Sequence, residues 1–169
     1  NKPFYITLLD IGLWKARQNL TSFLQDSIHM DMGLPSTDKL RLGWARKASG
    51  QRAVRIANKK GSPFCLLEDG FIRSVGLGDV DPALSIVLDR QGIYYDARSP
   101  SEIEDLIQTS LTPEEQARAQ ALMQQWRQAC VSKYNHLPEY SGDLPEKYVL
   151  VVDQTFGDAS ISYGLASAE

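Results

Sequence analysis

The sequence is poor in the residues that build metal sites and disulfide-bonded scaffolds. Its 169 residues include two cysteines, Cys65 and Cys130, and two histidines, His29 and His136, and these four lie far apart along the chain. Such isolated residues lack the ligand spacing of a zinc site and the dense cysteine pattern of a secreted scaffold. Dinucleotide-binding loops, phosphate-binding P-loops and hydrolase nucleophile elbows are missing too. We therefore predict no metal and no cofactor.

Long apolar runs are also absent. The run Tyr148–Val152 is among the longest, and it is far shorter than the roughly 20 residues of a membrane-spanning helix. No secretory signal pattern opens the chain, which favours a cytoplasmic setting. With 43% hydrophobic and 23% charged residues, the composition is that of one folded domain and excludes a disordered chain. Because the first residue is Asn1 and not Met, we expect a piece of something longer.

Charge is unevenly distributed. Residues 39–60 contain eight basic and no acidic residues, so this window carries +8 while the rest of the chain carries −11, for a net charge of −3. A basic window in an acidic chain attracts anions such as phosphate, sugar acids or nucleic acid, although a solvated helix face has the same pattern. Because the remainder would repel a phosphate backbone, we do not predict a nucleic-acid partner.

The first part of the chain alternates strand and helix signals. Short apolar runs predict strands, and helical periodicity with stop signals predicts the helices between them. The predicted strands cover residues 4–9, 41–44 and 64–67, and the predicted helices cover 13–24 and 49–60. This order is typical of a parallel α/β sheet with covering helices.

The second part has a different rhythm. Residues 84–88 and 93–95 flank a turn and predict a hairpin. Ser99 is expected to cap a helix from Pro100 to about Ser110, and Thr112 with Glu115 forms a capping-box signal for a helix to about residue 131. Residues 148–152 are apolar throughout and predict a central strand.

Ligands in such sheets gather beyond the carboxyl ends of the strands. Glu68 and Asp69 follow one predicted strand, and Asp153 and Asp158 flank a turn after another. Paired carboxyl groups serve as acid or base and as nucleophile at an anomeric carbon, whereas turn and cap stabilisation is the structural alternative. Arg73 lies close to Glu68 in the sequence, and its guanidinium is expected to pair with an anionic substrate group.

Five blocks of residues, in order, resemble the bacterial capsule-polysaccharide β-Kdo transferases of the KpsC family. They cover roughly residues 40 to 165 and include Trp44 with Arg46, where Ala45 replaces a family glycine. The blocks lie at 43–47, 67–78, 85–101, 132–135 and 151–160. Several ordered blocks are more specific than any one of them.

The resemblance implies a Rossmann-like parallel sheet with a helical segment, the first half of a two-Rossmann (GT-B-like) glycosyltransferase. It implies transfer of Kdo, an eight-carbon sugar acid, from CMP-Kdo to a lipid-linked saccharide acceptor, building the β-Kdo linker of capsular polysaccharide. The setting implied is the cytoplasmic face of a Gram-negative inner membrane, where the enzyme would be peripheral and would meet the capsule assembly machinery. Retention of configuration implies two inversions through a carboxylate nucleophile.

Residue roles are carried over from the matching blocks. The resemblance implies that Asp158 is the nucleophile and Glu68 the acid/base, with Asp69 as a loop-orienting residue and the rival to Glu68. It further implies that substrate is bound by Arg73, Lys133, Asn135, Gln154 and Ser160.

The expected domains are residues 1–145, an α/β domain with a helical segment at about 100–131, and 146–169, the start of a further α/β unit carrying the loop of Gln154, Asp158 and Ser160. The family's Lys-x-His-Pro segment is missing, since His136 is followed by Leu137. We therefore expect this chain to be inactive alone. The alternative is a non-catalytic α/β module that binds an anion or nucleotide near Arg73.

Overall fold

The computed structural model describes residues 2–78, 80–152 and 154–165. It contains the strands β1 (Phe4–Thr7), β2 (Ile28–Asp31), β3 (Leu40–Trp44), β4 (Phe64–Asp69) and β5 (Ile86–Asp89). Its helices are α1 (Ile11–Lys15), α2 (Arg17–Leu24), α3 (Ala48–Asn58), α4 (Glu102–Gln108), α5 (Pro113–Gln128) and α6 (Ala159–Tyr163).

The five strands form one mixed sheet in the order β2-β1-β3-β4-β5. The first four strands are parallel, as predicted, and β5 is antiparallel to β4 at the edge. The predicted α/β class is confirmed, with this antiparallel edge strand as an addition. Apolar side chains from β1, β3 and β4 and from α1 and α2 form the core, because parallel strands are covered on both faces.

Helix α3 packs closely on β3 because two glycines meet at their contact. A Cβ atom on Gly43 would lie 2.5 Å from the Cα of Gly50, and one on Gly50 would lie 1.8 Å from the carbonyl oxygen of Ala45. Any side chain at either position would push the helix away from the strand. The N-terminus of α3 is thereby fixed at the carboxyl edge of the sheet.

Both predicted helices of the second part are present, and each begins with a capping box. Thr112 caps α5 with Glu115, as predicted. The cap of α4 is Ser101 with Glu104, and not Ser99 as predicted. Ser101 forms both reciprocal hydrogen bonds of the box with Glu104, which places the helix start two residues later.

Three sequence predictions about strands are wrong. Residues 84–95 do not form a hairpin: only β5 pairs with the sheet, and 93–95 are irregular. Strand β2 forms at a place where no strand was predicted. Residues 148–152 form no strand, since no described strand lies beside them to take their backbone hydrogen bonds, and Val149 is 89% exposed.

Burial divides the chain into two regions. The sheet body, residues 2–101 as described, contains every buried side chain, whereas none of the described residues from 102 onward is buried. We call the described residues 102–165 the C-terminal arm. Backbone hydrogen bonds join the arm to the sheet body. Arg73 N–H donates to the Lys133 carbonyl at 3.0 Å, and Ala97 N–H donates to the Tyr163 carbonyl at 2.9 Å.

Candidate active site

The carboxyl ends of β1, β3 and β4 meet at one edge of the sheet, since these strands are parallel. A cavity of about 660 Å³ opens beside this edge, between the sheet body and the C-terminal arm. We call it the carboxylate cavity. Of the predicted site residues, the structure brings five together on its walls: Glu68, Lys133, Gln154, Asp158 and Ser160.

Glu68 lies near the end of β4, where it pairs with Val87 of β5. Its Oε1 accepts a hydrogen bond from the Trp44 indole Nε1 at 3.2 Å and another from the Asp69 backbone N–H at 2.9 Å. Trp44 is the last residue of the neighbouring strand β3. The sheet register therefore holds this carboxylate in place.

A tight turn follows Trp44. Ala45, which is 1% exposed, has a φ of +33°, in the left-handed region that favours glycine, and its N–H donates to the Leu67 carbonyl at 2.9 Å. The family pattern has glycine at this position, which agrees with that backbone shape. The next two residues after this turn, Arg46 and Lys47, lie on the wall of the carboxylate cavity.

Asp158 comes from the other side of the cavity, as the N-cap of α6. Its Oδ1 accepts hydrogen bonds from the Ser160 backbone N–H at 2.8 Å and from the Ser160 hydroxyl at 2.7 Å. These two bonds, together with the positive charge of Lys133, lower the pKa of Asp158. The carboxylate is therefore ionised at neutral pH, as a nucleophile requires.

Helix α6 is fastened to the sheet body through Tyr163. The guanidinium of Arg98 lies 4.2 Å from the centre of the Tyr163 ring. Arg98 also pairs with Asp96 at 2.8 Å, and Arg46 pairs with the same carboxylate at 2.5 Å. The hydrogen bond from Arg98 is the main reason that the pKa of the buried Asp96 falls to about 2. This cluster connects the position of Asp158 to the turn that follows β3.

Two tyrosines line the cavity between the acidic groups. Burial raises the pKa of Tyr94, and the negative charges of Glu68, Asp69 and Asp158 raise it further. Burial also raises the pKa of Tyr95 to about 12, with a further contribution from a hydrogen bond to Glu68. Both hydroxyls therefore remain protonated and available as donors.

Two predicted residues, Asp69 and Arg73, lie in a different place. The Asp69 Oδ1 pairs with the Arg73 Nε at 2.8 Å. The rest of the Arg73 guanidinium donates to the Ser74 hydroxyl and to the Asp81 carbonyl, and its side chain is 8% exposed. The structure thus places Arg73 as the support of its own loop and outside the carboxylate cavity.

Asn135 also lies outside that cavity, where it ties the arm to the loop after β4. Its N–H donates to the Val75 carbonyl at 2.8 Å, and its side-chain amide donates to the Ser74 carbonyl at 3.2 Å. Together with the bond from Arg73 N–H to the Lys133 carbonyl, these contacts fix the backbone on both sides of Lys133. Asp153, the other acidic residue of the sequence pattern, lies outside the described residues.

A second cavity of about 550 Å³ lies between the loops after β1 and β3. In the order β2-β1-β3-β4-β5, this is the switch point, where ligands of open α/β sheets bind. Its walls include Trp44, Lys47, Asp69 and the ion pair of Arg52 with Asp10, whose atoms are 2.8 Å apart. We call it the switch-point crevice; Lys47 lines both cavities.

Besides Ala159, six lining residues of the carboxylate cavity were not among the predicted site residues: Arg46, Lys47, Tyr94, Tyr95, Tyr134 and Thr155. A signal for the first two was present, because they directly follow a strand at the carboxyl edge and lie in the basic window. For the tyrosines no signal was available, since aromatic pairs are typical of packing. Tyr94 and Tyr95 do pack edge to face, with ring centres 5.5 Å apart.

Within the described parts of the chain, no group of three or more His, Cys, Asp or Glu side chains is arranged to hold a metal ion. Among the same residues, no helix combines the length and the apolar character that crossing a bilayer requires.

Sequence comparison identifies relatives of the chain. A family model described as "Capsule polysaccharide biosynthesis protein" matches residues 41–143. The capsule polysaccharide modification protein LipA of Neisseria meningitidis serogroup B is 45% identical over 136 residues, which cover 75% of this chain and 19% of LipA. The lipopolysaccharide-processing protein LpsZ of Rhizobium meliloti is 39% identical over 128 residues, 68% of this chain and 28% of LpsZ. The chain therefore spans less than a third of either relative.

Structure comparison finds solved relatives with the same fold. The beta Kdo 2,4 transferase of Thermosulfurimonas dismutans KpsC superposes with a TM-score of 0.79 at 33% identity, over 98% of this chain and 52% of that one. The beta Kdo 2,7 transferase of the same KpsC gives a TM-score of 0.64 at 25% identity, over 96% and 51%. The chain spans about half of each. By the family match over more than half of its residues, this chain belongs to the capsule polysaccharide biosynthesis protein family, and it has the α/β fold of the KpsC glycosyltransferases.

Proposed function

We propose that the full-length protein containing this chain transfers Kdo from CMP-Kdo to a lipid-linked saccharide acceptor, with retention of configuration. The observation that carries the proposal is the meeting of Glu68 and Asp158 on one cavity, from two distant parts of the chain. Two carboxyl groups across a cavity are what a double displacement at an anomeric carbon needs. The likeness to two Kdo transferases supports the sugar and the reaction class.

In the first step, the Asp158 carboxylate attacks the anomeric carbon of Kdo. A bond forms between the carboxylate oxygen and that carbon, and the bond to the phosphate oxygen of CMP breaks, so CMP leaves with the electron pair. Because both donors from Ser160 bind Oδ1, we assign the attack to Oδ2. The lowered pKa of Asp158 keeps the nucleophile ionised.

In the second step, the acceptor hydroxyl attacks the same carbon. Its proton passes to Glu68, the new glycosidic bond forms, and the bond to Asp158 breaks with the electron pair returning to the carboxylate. Each step inverts the configuration, and two inversions give retention. In this assignment Asp69 is not the base, since its carboxylate is paired with Arg73.

Cationic side chains of the cavity are suited to the anionic donor. Arg46, Lys47 and Lys133 line the same walls as the two carboxylates, and we assign them to the sugar carboxylate and the phosphate. Gln154 and Ser160 are assigned to sugar hydroxyl groups. Arg73, whose donors bind its own loop, holds Lys133 indirectly through the backbone.

We assign the switch-point crevice to the acceptor. Glu68 lies on one cavity and its neighbour Asp69 on the other, with Trp44 between them. A base at this boundary takes the proton from an acceptor hydroxyl in the switch-point crevice, while the anomeric carbon of the donor lies in the carboxylate cavity. The cellular setting we propose is cytoplasmic and peripheral at the inner membrane, where the exposed cations Arg55, Lys59 and Lys60, in the last turn of α3 and just after it, meet the anionic lipid surface.

The nucleotide-binding part of the donor site is proposed to lie in the half of the KpsC-like fold that this chain does not span, in a GT-B-like arrangement. Residues 146–165 would then open a further α/β unit. On this proposal the isolated chain of 169 residues has no transfer activity. Measurable transfer from CMP-Kdo by these residues alone would contradict it.

The test of the proposed function uses full-length protein, CMP-Kdo and a synthetic lipid-linked acceptor. Asp158→Asn and Glu68→Gln are each expected to abolish transfer while leaving the thermal unfolding temperature unchanged. Asp143→Asn and Glu139→Gln, the same changes at exposed positions of the arm, serve as matched controls with normal rates. Near-normal transfer by both site variants would overturn the assigned roles and favour the non-catalytic binding module.

A further inference from the structure

One carboxylate oxygen of Glu68, Oε1, accepts two hydrogen bonds. The Trp44 indole donates to Oε1 at 3.2 Å, and the Asp69 N–H donates to the same oxygen at 2.9 Å. Both groups are donors only, so Oε1 is an acceptor in every protonation state of the carboxyl group. A proton that arrives on Glu68 therefore goes to Oε2.

Tyr95 completes the support of this carboxylate. Its hydroxyl oxygen accepts a hydrogen bond from the Arg46 backbone N–H at 3.3 Å. That bond leaves the phenolic proton free to donate. Tyr95 and Glu68 line the same cavity, and the negative charge of Glu68 contributes to the raised pKa of the hydroxyl. The Tyr95 hydroxyl is thus held beside the Glu68 carboxylate as a potential donor.

Glu68 and the two side chains beside it come from separate elements of the sheet body. Trp44 ends β3, Glu68 lies in β4, and Tyr95 lies in the segment after β5. Tyr95 contacts the backbone of Arg46, which lies in the turn directly after Trp44. Such a closed arrangement restricts the Glu68 side chain to one geometry, which is how a general base is made ready before substrate binds.

We propose that Trp44 and Tyr95 are positioning residues that hold Glu68 so that Oε2 faces the acceptor hydroxyl in the second step of transfer. The proposal rests on the proposed function, because it assigns these residues to a step of that reaction. Neither residue touches the anomeric carbon in this assignment, so both act only through Glu68. Their effect is therefore confined to discharge of the covalent intermediate.

The experiment separates the two half-reactions in the full-length protein. Trp44→Phe keeps an aromatic ring and removes the indole N–H, and Tyr95→Phe removes only the hydroxyl. Incubation with CMP-Kdo alone, followed by intact-protein mass spectrometry, gives the rate of adduct formation. Addition of the lipid-linked acceptor then gives the rate of adduct discharge.

For each variant we expect adduct formation at the wild-type rate and discharge slowed by about tenfold, since the Glu68 carboxylate loses one neighbouring donor group. The double variant is expected to be slower than either single variant.

Matched controls make the same chemical changes elsewhere. Trp14→Phe removes an indole N–H from α1, and Tyr140→Phe removes an exposed hydroxyl from the arm; both are expected to keep wild-type rates. Discharge by Trp44→Phe and Tyr95→Phe at the wild-type rate would overturn the proposal. So would an equal loss in both half-reactions with a lowered unfolding temperature, which would mark a purely structural role.

Failure of the proposed function has a separate signature. A wild-type enzyme that forms no adduct, or a Glu68→Gln variant that discharges its adduct normally, would overturn the base assignment and this proposal with it. Normal behaviour of those two proteins, combined with wild-type discharge by the Trp44 and Tyr95 variants, would overturn only the positioning roles.

Discussion

Glu68 and Asp158 line the same cavity, but the two parts of the chain that carry them are packed very differently. Glu68 lies in a paired strand of the sheet body, with neighbours on β3 and β5. Asp158 is exposed and begins a helix of five residues in the C-terminal arm, where no described residue is buried. The proposed base is therefore held by the core of the domain, and the proposed nucleophile by a few surface contacts.

This difference has a physical consequence for the site. Core packing resists displacement because any movement opens cavities, whereas a few exposed polar contacts open at low free-energy cost. The separation of the two carboxylates is thus set mainly by how well α6 stays docked. Four predictions test this contrast, from the largest expected effect to the smallest.

The largest effect is expected in the sheet body, at Arg41 of β3. This side chain is 1% exposed and pairs with Asp31 at 2.6 Å. Arg41→Ala removes a buried side chain and its ion pair, and should lower the free energy of unfolding by about 3 kcal/mol. Urea denaturation followed by tryptophan fluorescence measures it. Arg55→Ala, an exposed change on α3, is the control, and equal losses in the two variants would contradict the contrast.

The second effect is acid sensitivity of the sheet body. The partial burial of Asp31 favours a higher pKa, but hydrogen bonds from Arg41 and Lys39 lower the pKa of this carboxyl group from 3.8 to about 2. A depressed folded-state pKa contributes stability that is present above the unfolded value and is lost as pH falls through the folded one. We therefore expect a loss of about 1 to 2 kcal/mol between roughly pH 5 and pH 2.

Urea midpoints at several pH values measure this loss, and Asp31→Asn should show a smaller fall than the unchanged chain. Asp143→Asn, in the arm, should follow the unchanged chain throughout. If Asp31→Asn lost stability with falling pH as steeply as the unchanged chain, the ion pairs of Asp31 would not be the cause.

The third effect concerns the fastening of α6. Arg98→Ala removes the cation from the face of the Tyr163 ring, while Asp96 keeps its pair with Arg46. We expect little change in stability but a fall in transfer of roughly tenfold in the full-length protein, because misplacing a nucleophile is costly. Adduct formation from CMP-Kdo is the measurement, with Arg118→Ala on α5 as control. Normal adduct formation by Arg98→Ala would show that α6 is placed by other contacts.

The smallest effect compares the two capping boxes. Thr112→Ala removes an exposed cap, and its cost of about 1 kcal/mol should stay within α5. Ser101 is fully buried, and the adjacent Glu102 N–H donates to Asp89 at 3.0 Å. Ser101→Ala should therefore reduce hydrogen-exchange protection in β5 as well as in α4. Loss confined to α4 would show that this helix opens independently of the sheet body despite its hydrogen bond to Asp89.

The sheet body was largely predictable from sequence because its strands follow simple rules. Apolar runs between helical segments located β1, β3 and β4, and the strand-end rule located Glu68. Strand β2 was missed because His29 and Asp31 interrupt its apolar pattern, and its formation depends on pairing with β1. Residues 148–152 show the reverse case, since an apolar pattern forms a strand only beside another strand.

The candidate site was predictable only in part. The structure brings five of the predicted residues together on one cavity, Glu68, Lys133, Gln154, Asp158 and Ser160, and their roles stay predictions. Substrate binding by Arg73 also stays a prediction. Arg73 lines the switch-point crevice, but its guanidinium is also paired with Asp69 and donates to the Asp81 carbonyl, a competition that no sequence pattern reveals. The contribution of Trp44 and Tyr95 depends on the packing of three separate segments.

The positive φ of Ala45 has a consequence for how this site can change during evolution. Trp44, Ala45 and Arg46 are consecutive, so one bend in the backbone sets both the donor to Glu68 and the partner of Asp96. A substitution at Ala45 that reshapes this bend would disturb the positions of Glu68 and of Asp158 together. Tolerance of change at this one backbone position therefore limits both carboxylates at once.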